Sequence, residues 1–123
     1  MTDARELGQS VKPYQLNYSA ILDKDGKRFT VHATGLNRTG GYRPFFQVDP
    51  ALILPPQVDF INIPPTGITN EMITHFHAEL TMVAASVLGQ QQWSVVVHDT
   101  EGQHIVEIEG AKRPEIDPLP NAN

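Results

Sequence analysis

The chain of 123 residues contains no cysteine. This absence excludes a disulfide framework, a thiolate nucleophile and a zinc site with cysteine ligands. A chain of this length fits one domain, and it can bury a core without covalent cross-links or metal. Composition therefore predicts a single folded domain that is stabilised by packing.

Long apolar runs are absent as well. The longest apolar-rich stretch, Met82 to Leu88, is far shorter than the ~20 residues that a membrane-spanning helix needs. The first ten residues are polar and lack the apolar segment of a secretory signal. Because cysteine is missing too, we expect a cytoplasmic protein that has no membrane partner.

Positive charge is missing from more than half of the chain. No Lys or Arg lies between Pro44 and Ala111, whereas eight acidic residues do. The cations upstream, with one tyrosine, define a basic lobe over residues 24–43: Lys24, Lys27, Arg28, Arg38, Tyr42 and Arg43. The segregation predicts a contact between this lobe and an acidic partner protein or a second copy of the chain. The alternative is compositional drift, and a net charge of −5 argues against nucleic acid as the partner.

Two segments carry the same hairpin pattern, either through internal duplication or through convergence. In each, an alternating strand leads to an Asp-x-acid-Gly turn and a return strand. Aspartate at the first turn position accepts a backbone hydrogen bond, and glycine at the fourth adopts positive φ. The pattern predicts two β-hairpins, one over Tyr14–Leu22, Asp23–Gly26 and Arg28–Thr34, the other over Trp93–His98, Asp99–Gly102 and His104–Glu109.

The segment between the hairpins predicts two short strands and a helix. The strands, Pro44 to Val48 and Gln57 to Ile63, are bracketed by prolines. The helix rests on apolar residues at steps of three and four, with a threonine cap before them, an acid in the first turn and a glycine after them: Thr66 or Thr69, Glu71, Ile73, Phe76, Leu80, Val83, Val87 and Gly89. The predicted fold is α+β, a mainly antiparallel sheet of about six strands with one helix packed on a face.

Both ends of the chain are predicted to lie outside the domain, which spans residues 13–111. Residues 1–12 are polar and aperiodic, as expected for a flexible arm. Residues 112–123 are interrupted by prolines and predict an extended tail. Such arms commonly reach neighbouring subunits.

The predicted helix carries a candidate metal or catalytic pair. His75 and Glu79 are four residues apart and would share one helix face, as metal ligands or as a base and its orienting group. His77 would point about 200° away from His75, since each residue turns a helix by about 100°. A third ligand would have to come from His32, His98 or His104. The alternative is a solvated helix face, and we predict no resident metal or other cofactor.

Two further regions are candidate sites. The loop 37–44 combines paired glycines with Arg38 and Arg43, which suits an anion or presentation to a target enzyme. His98 and His104 flank the second turn and would form a pH-sensitive or weak metal patch. Flexible connection and unrelated exposed side chains are the respective alternatives.

No serine lies in the glycine pattern of a nucleophile elbow, and no catalytic constellation stands out. We therefore favour a non-catalytic interaction or assembly subunit in which the basic lobe meets an acidic partner or a second copy. One alternative is a small metal-dependent enzyme or ligand binder that uses His75 and Glu79. Another is an enzyme inhibitor that presents the loop 37–44.

Overall fold

The computed structural model describes residues 8–48, 55–67, 72–84 and 93–110, and these form one seven-stranded sheet. The strands are β1 (Tyr14–Leu22), β2 (Arg28–Asn37), β3 (Arg43–Val48), β4 (Gln57–Ile63), β5 (Thr74–Val83), β6 (Ser94–Asp99) and β7 (Gly102–Glu109). The predicted tail 112–123 and the first seven residues of the predicted arm lie outside the described residues.

The sheet is mixed and nearly closed, with the strand order β3-β4-β6-β7-β1-β2-β5. Four neighbouring pairs are antiparallel, whereas β1 with β7 and β4 with β6 are parallel. The two outer strands, β3 and β5, approach each other, so the sheet curls into a barrel-like shape around its own core. The predicted α+β fold, with six mainly antiparallel strands and a packed helix, is therefore wrong.

Strand β5 replaces the middle of the predicted helix. It pairs with β2 in an antiparallel ladder from Thr74 opposite Asn37 to Val83 opposite Arg28. Phe76 and Leu80 are four residues apart, so they fit a strand face and a helix face equally well. Ile73 and Val83 fit the helix pattern only, and a packed helix would bury them. They are instead 61% and 60% exposed, as expected for a strand. The predicted caps Thr69 and Gly89 lie outside the described residues.

Both predicted hairpins are present, both turn glycines have the predicted positive φ, and the second turn also has the predicted hydrogen bond to its aspartate side chain. In the first, the Gly26 backbone N–H donates to the Asp23 carbonyl oxygen at 2.9 Å, and Gly26 has a φ of 72°. In the second, the Glu101 backbone N–H donates to the Asp99 carboxylate at 2.8 Å, and Gly102 has a φ of 120°. The positive φ explains glycine at both positions.

The interior of the curled sheet holds a column of aromatic rings. Phe60 stacks on Phe76 with ring centroids 5.8 Å apart, and it meets Phe46 and Tyr18 edge-on at 5.6 Å and 5.9 Å. The remaining core is small and mostly β-branched, including Val31, Val58, Val95 and Val97, which are fully buried. Such residues suit the inward face of a tightly curved sheet.

A buried amide pair ties β2 to β4 and to the segment before β1. The side-chain amide of Asn62 donates to Asn37 Oδ1 at 2.7 Å and to the Val11 carbonyl oxygen at 2.9 Å, and Asn37 donates back to Asn62 Oδ1 at 3.2 Å. The Val11 backbone N–H in turn donates to the Asn62 carbonyl oxygen at 2.9 Å. These bonds hold Val11 against β4, and the next residue, Lys12, lines the candidate cleft.

Candidate functional site

Strands β1 and β7 separate and leave a cleft in the wall of the curled sheet. Within the described residues, their ladder pairs are Ala20 with Ile108 and Ile21 with Glu109 only. Nearer the starts of the two strands, a cavity of about 590 Å³ lies between them. At this end β1 carries a bulge, where Gln15 has a φ of 53° and the register of β1 with β2 shifts between Tyr14 and Asn17. Since bulges bend the strand that carries them, the divergence of β1 from β7 has a local cause.

A buried carboxylate with two side-chain partners, Tyr18 and His104, forms the inner wall of the cleft. Tyr18 donates its hydroxyl to Asp99 Oδ2 at 2.5 Å, and His104 Nε2 lies 3.0 Å from both carboxylate oxygens. The Asp99 side chain is only 4% exposed. Burial, followed by the hydrogen bond to Asp99 and its negative charge, raises the pKa of Tyr18 well above its usual range. Tyr18 therefore stays a neutral hydrogen-bond donor.

This arrangement holds His104 in one orientation. Its Nε2 is engaged by Asp99, and its ring lies against Tyr18 with centroids 5.4 Å apart. Nδ1 is then the ring nitrogen left for another partner. The wall of the cleft thus offers a phenol oxygen and an imidazole nitrogen, both held by a carboxylate that is itself saturated with hydrogen bonds.

The rim of the cleft is acidic. Glu101, Glu107 and Glu109 line it, and Lys12 is the one Lys or Arg among the lining residues. Lys12 lies 3.8 Å from Glu101, in an exposed pair that contributes little to stability. Ile105, which is 75% exposed, adds an apolar surface beside the carboxylates. The cleft therefore suits a positively charged ligand that also carries apolar groups.

A second cluster lies on the outer face of β2 and β5 and consists of His32, His77 and Glu79. His32 Nδ1 is 2.8 Å from His77 Nε2, and each of these nitrogens is 3.7 Å from Glu79 Oε1. The imidazole rings stack with centroids 5.0 Å apart. The side chain of His32 is 23% exposed, whereas those of His77 and Glu79 are more than half exposed.

The predicted pair His75 and Glu79 does not form on a helix, because β5 is a strand. Alternation along β5 puts His75, His77 and Glu79 on the same outer face, which overturns the predicted 200° separation of His77 from His75. Of the three histidines considered as a further ligand, His32 joins Glu79. His98 instead lies 2.5 Å from Gln57 Oε1 through its Nε2, and His104 contacts Asp99. His98 and His104 therefore contact different partners and do not form the predicted patch with each other.

The residues of the basic lobe lie in two groups at opposite ends of β2. Because β2 has ten residues, these ends are about 30 Å apart. At one end Arg28 pairs with Asp23 at 3.5 Å and Asp25 at 3.8 Å, and Lys24 and Lys27 are exposed. Their role as interaction residues stays a prediction.

The other group lies in the loop 37–44. Arg38 donates to the Tyr14 hydroxyl at 3.3 Å, and Tyr42 lines a shallow pocket with both. Arg43 lies over the Phe45 ring, 4.8 Å from its centroid. Both arginines therefore have contacts within their own chain, and the presentation of this loop to a target enzyme stays a prediction.

Sequence reasoning named His104 as a candidate but missed its cleft partners, Tyr18 and Asp99. Asp99 is 81 positions from Tyr18, and the sequence pattern explains each residue locally, as a turn aspartate and a strand aromatic. The sequence did contain one indication of this site, because His104 follows Asp99 by five residues and the second hairpin brings the two side chains together. Nothing local marks Tyr18 as their partner.

A scan against protein-family models and searches of curated proteins and of solved structures found no match to this chain. In the part of the chain that the structure describes, no helix is long and apolar enough to cross a membrane. The geometry of the site therefore carries the functional argument alone.

Proposed function

We propose that the protein is a non-catalytic binding protein that holds an extended, basic segment of polypeptide in the cleft between β1 and β7. The observation that carries the proposal is the separation of these two strands beside an acidic rim. The cytoplasmic location expected from the sequence belongs to the same proposal.

Extended polypeptide suits the cleft because both of its walls are strands. A strand edge presents backbone N–H and C=O groups at regular spacing, and peptides bind such edges by adding a strand. The stretches of β1 and β7 that line the cleft, Leu16–Ser19 and His104–Glu107, are each about 13 Å long at ~3.3 Å per residue. The cleft therefore accommodates about four extended residues.

The charge of the rim selects for lysine and arginine in the ligand. Glu101, Glu107 and Glu109 surround the opening, whereas Lys12 supplies a single positive charge. Exposed pairs contribute at most about 1 kcal/mol each, so their main effects are steering and discrimination between ligands. Ile105 would pack against an apolar side chain of the same segment.

The basic segment has two possible sources, another protein or a second copy of this chain. The hairpin tip between β1 and β2 carries Lys24 and Lys27, which have no ion pair within the described residues. If this tip enters the cleft of a second copy, the segregation of charge in the sequence serves self-assembly. If it does not, the cleft serves a different protein.

Fluorescence anisotropy with labelled six-residue peptides tests the proposal. We expect a lysine- and arginine-rich peptide with one leucine to bind, and a glutamate-rich peptide of equal length not to bind. Glu107→Gln with Glu109→Gln should weaken binding by roughly tenfold, since two ion pairs of about 0.7 kcal/mol are lost. Asp25→Asn with Glu79→Gln removes the same number of negative charges outside the cleft, so this matched control should leave binding unchanged.

Light scattering at low and high salt distinguishes the two sources. A salt-sensitive oligomer that Lys24→Glu with Lys27→Glu dissociates identifies a second copy as the ligand, because exposed ion pairs are screened by salt. A monomer that still binds the basic peptide identifies another protein. A monomer that binds neither peptide would show that the proposal is wrong.

A further inference from the structure

We propose that His32, His77 and Glu79 bind one divalent transition-metal ion, with Zn²⁺ as the representative, on the outer face of strands β2 and β5. The proposal is independent of the cleft, because none of these three residues lines it.

The register of the sheet brings the three ligands together. His32 lies directly opposite Glu79 in the antiparallel ladder, and His77 lies opposite Thr34, one diagonal step away. All three alternate with inward-facing core residues, so their side chains project from the same face. Backbone pairing on both sides of the contact holds this arrangement, and no loop contributes to it.

The distances between the ligand atoms fit a metal ion. Zinc binds imidazole nitrogen at about 2.0–2.1 Å and carboxylate oxygen at about 2.0–2.2 Å. A triangle with sides of 2.8, 3.7 and 3.7 Å has its corners about 2.0 Å from its circumcentre. An ion near that centre would reach all three atoms at bonding distance without a change of backbone.

The chemistry of the three groups also favours a metal. Two imidazoles and one carboxylate, with no thiolate, are typical ligands of zinc and neighbouring divalent ions. In the described part of the chain, Glu79 has no Lys or Arg partner, and the side chains near its carboxylate include the two imidazoles. Without a metal, His32 and His77 can share only one proton between the two nitrogens that face each other. A divalent ion would engage both lone pairs and the carboxylate at once.

Exposure of the cluster defines the kind of site. The side chains of His77 and Glu79 are 53% and 59% exposed, so solvent reaches the ion and completes its coordination. Three protein ligands with an open position differ from the closed four-ligand sites that only support a fold. The ion would also join β5, an outer strand of the sheet, to β2.

Isothermal titration calorimetry of tag-free protein with zinc chloride, in a buffer that does not chelate metal, tests the proposal. We expect one Zn²⁺ per chain. His77→Ala and Glu79→Gln should each weaken binding by roughly tenfold or more, since even the outer partners of metal ligands commonly matter to that extent. His75→Ala is the matched control, because His75 is exposed on the same face of β5 but is not in the cluster. It should change the affinity less than about twofold.

Co²⁺ supplies a readout that does not depend on affinity alone. Visible absorption of bound Co²⁺ should appear in the wild type and in His75→Ala, and should be lost in Glu79→Gln. Glu79→Gln replaces the carboxylate with a neutral amide of equal size at an exposed position, so the fold of the variant, checked by circular dichroism, should be unchanged. Absence of saturable Zn²⁺ binding, or equal loss in His75→Ala and His77→Ala, would overturn the proposal.

Discussion

Replacing Gly35 with alanine should destabilise the protein by about 1–2 kcal/mol, because the sheet leaves no room for a side chain there. A methyl group at Gly35 would lie 2.9 Å from Phe76 Cε2, 3.0 Å from Phe76 Cζ and 2.9 Å from the Tyr14 carbonyl oxygen. The backbone at Gly35 is not left-handed, so alanine meets no conformational barrier. The predicted loss of stability in Gly35→Ala therefore comes from the steric clash alone.

The magnitude follows from two opposing effects. Alanine restricts the unfolded chain more than glycine does, which stabilises the folded state by about 0.4–1 kcal/mol. Forcing a methylene into a packed site costs about 1–3 kcal/mol. Phe76 is held by its stacking on Phe60, and the Tyr14 oxygen belongs to backbone at the bulge of β1, so neither neighbour moves freely. The cost therefore lies in the upper part of the range, and the net effect is destabilising.

Urea unfolding followed by circular dichroism measures this difference, and Gly8→Ala is the matched control. No atom lies within 4 Å of a methyl group at Gly8, so only the effect on the unfolded chain remains, and the control should be as stable as the wild type or up to about 1 kcal/mol more stable. The experiment also tests the register in which Gly35 faces Phe76 across β2 and β5. If Gly35→Ala were as stable as the wild type, that register and the strand assignment of β5 would be refuted.

Two further variants test the cleft and the core. Because the pKa of Tyr18 is raised in the folded state, its contribution is complete below the unfolded value of about 10 and is lost above it, as the unfolded chain ionises first. Urea unfolding at pH 9.5, 10.5 and 11 should therefore show that the free energy of unfolding falls more steeply with pH in the wild type than in Tyr18→Phe, by up to about 1.4 kcal/mol per pH unit. Equal dependence on pH in the two proteins would contradict this prediction. Asn62→Ala should cost about 2–3 kcal/mol in the same assay, since it leaves the buried Asn37 amide without its partner. The exposed Asn17→Ala should change stability by less than about 0.5 kcal/mol, and a similar loss in both variants would show that the amide pair is unimportant.

Local chemistry explains which elements the sequence predicts well. Both hairpin turns depend on contacts within four residues, such as the Gly26 N–H with the Asp23 carbonyl oxygen, so their residues specify them without the rest of the chain. The predicted strand Gln57–Ile63 matches β4 because the prolines around it limit the ladder at both ends.

The candidate sites could be predicted only in part, because each joins residues distant in sequence. His77 and Glu79 are residue types that bind metals, but the predicted helix period placed them on different sides of the element. His32 was one of three candidates for a further ligand, and only the pairing of β2 with β5 distinguishes it from His98 and His104. Tyr18 reaches Asp99 because the first hairpin lies beside the second through β1 and β7.

Local sequence patterns are enough to specify the two hairpins, the two short strands between them, and the separation of basic from acidic residues along the chain. The tertiary structure was needed to identify residues 74–83 as a strand, because Phe76 and Leu80 fit both the helix and the strand period, and the ladder with β2 resolves the ambiguity. It also divided the basic lobe between the two ends of β2 and assembled the cleft and the histidine cluster. Strand neighbours are selected by burial and backbone pairing over the whole sheet, and no short segment contains that information.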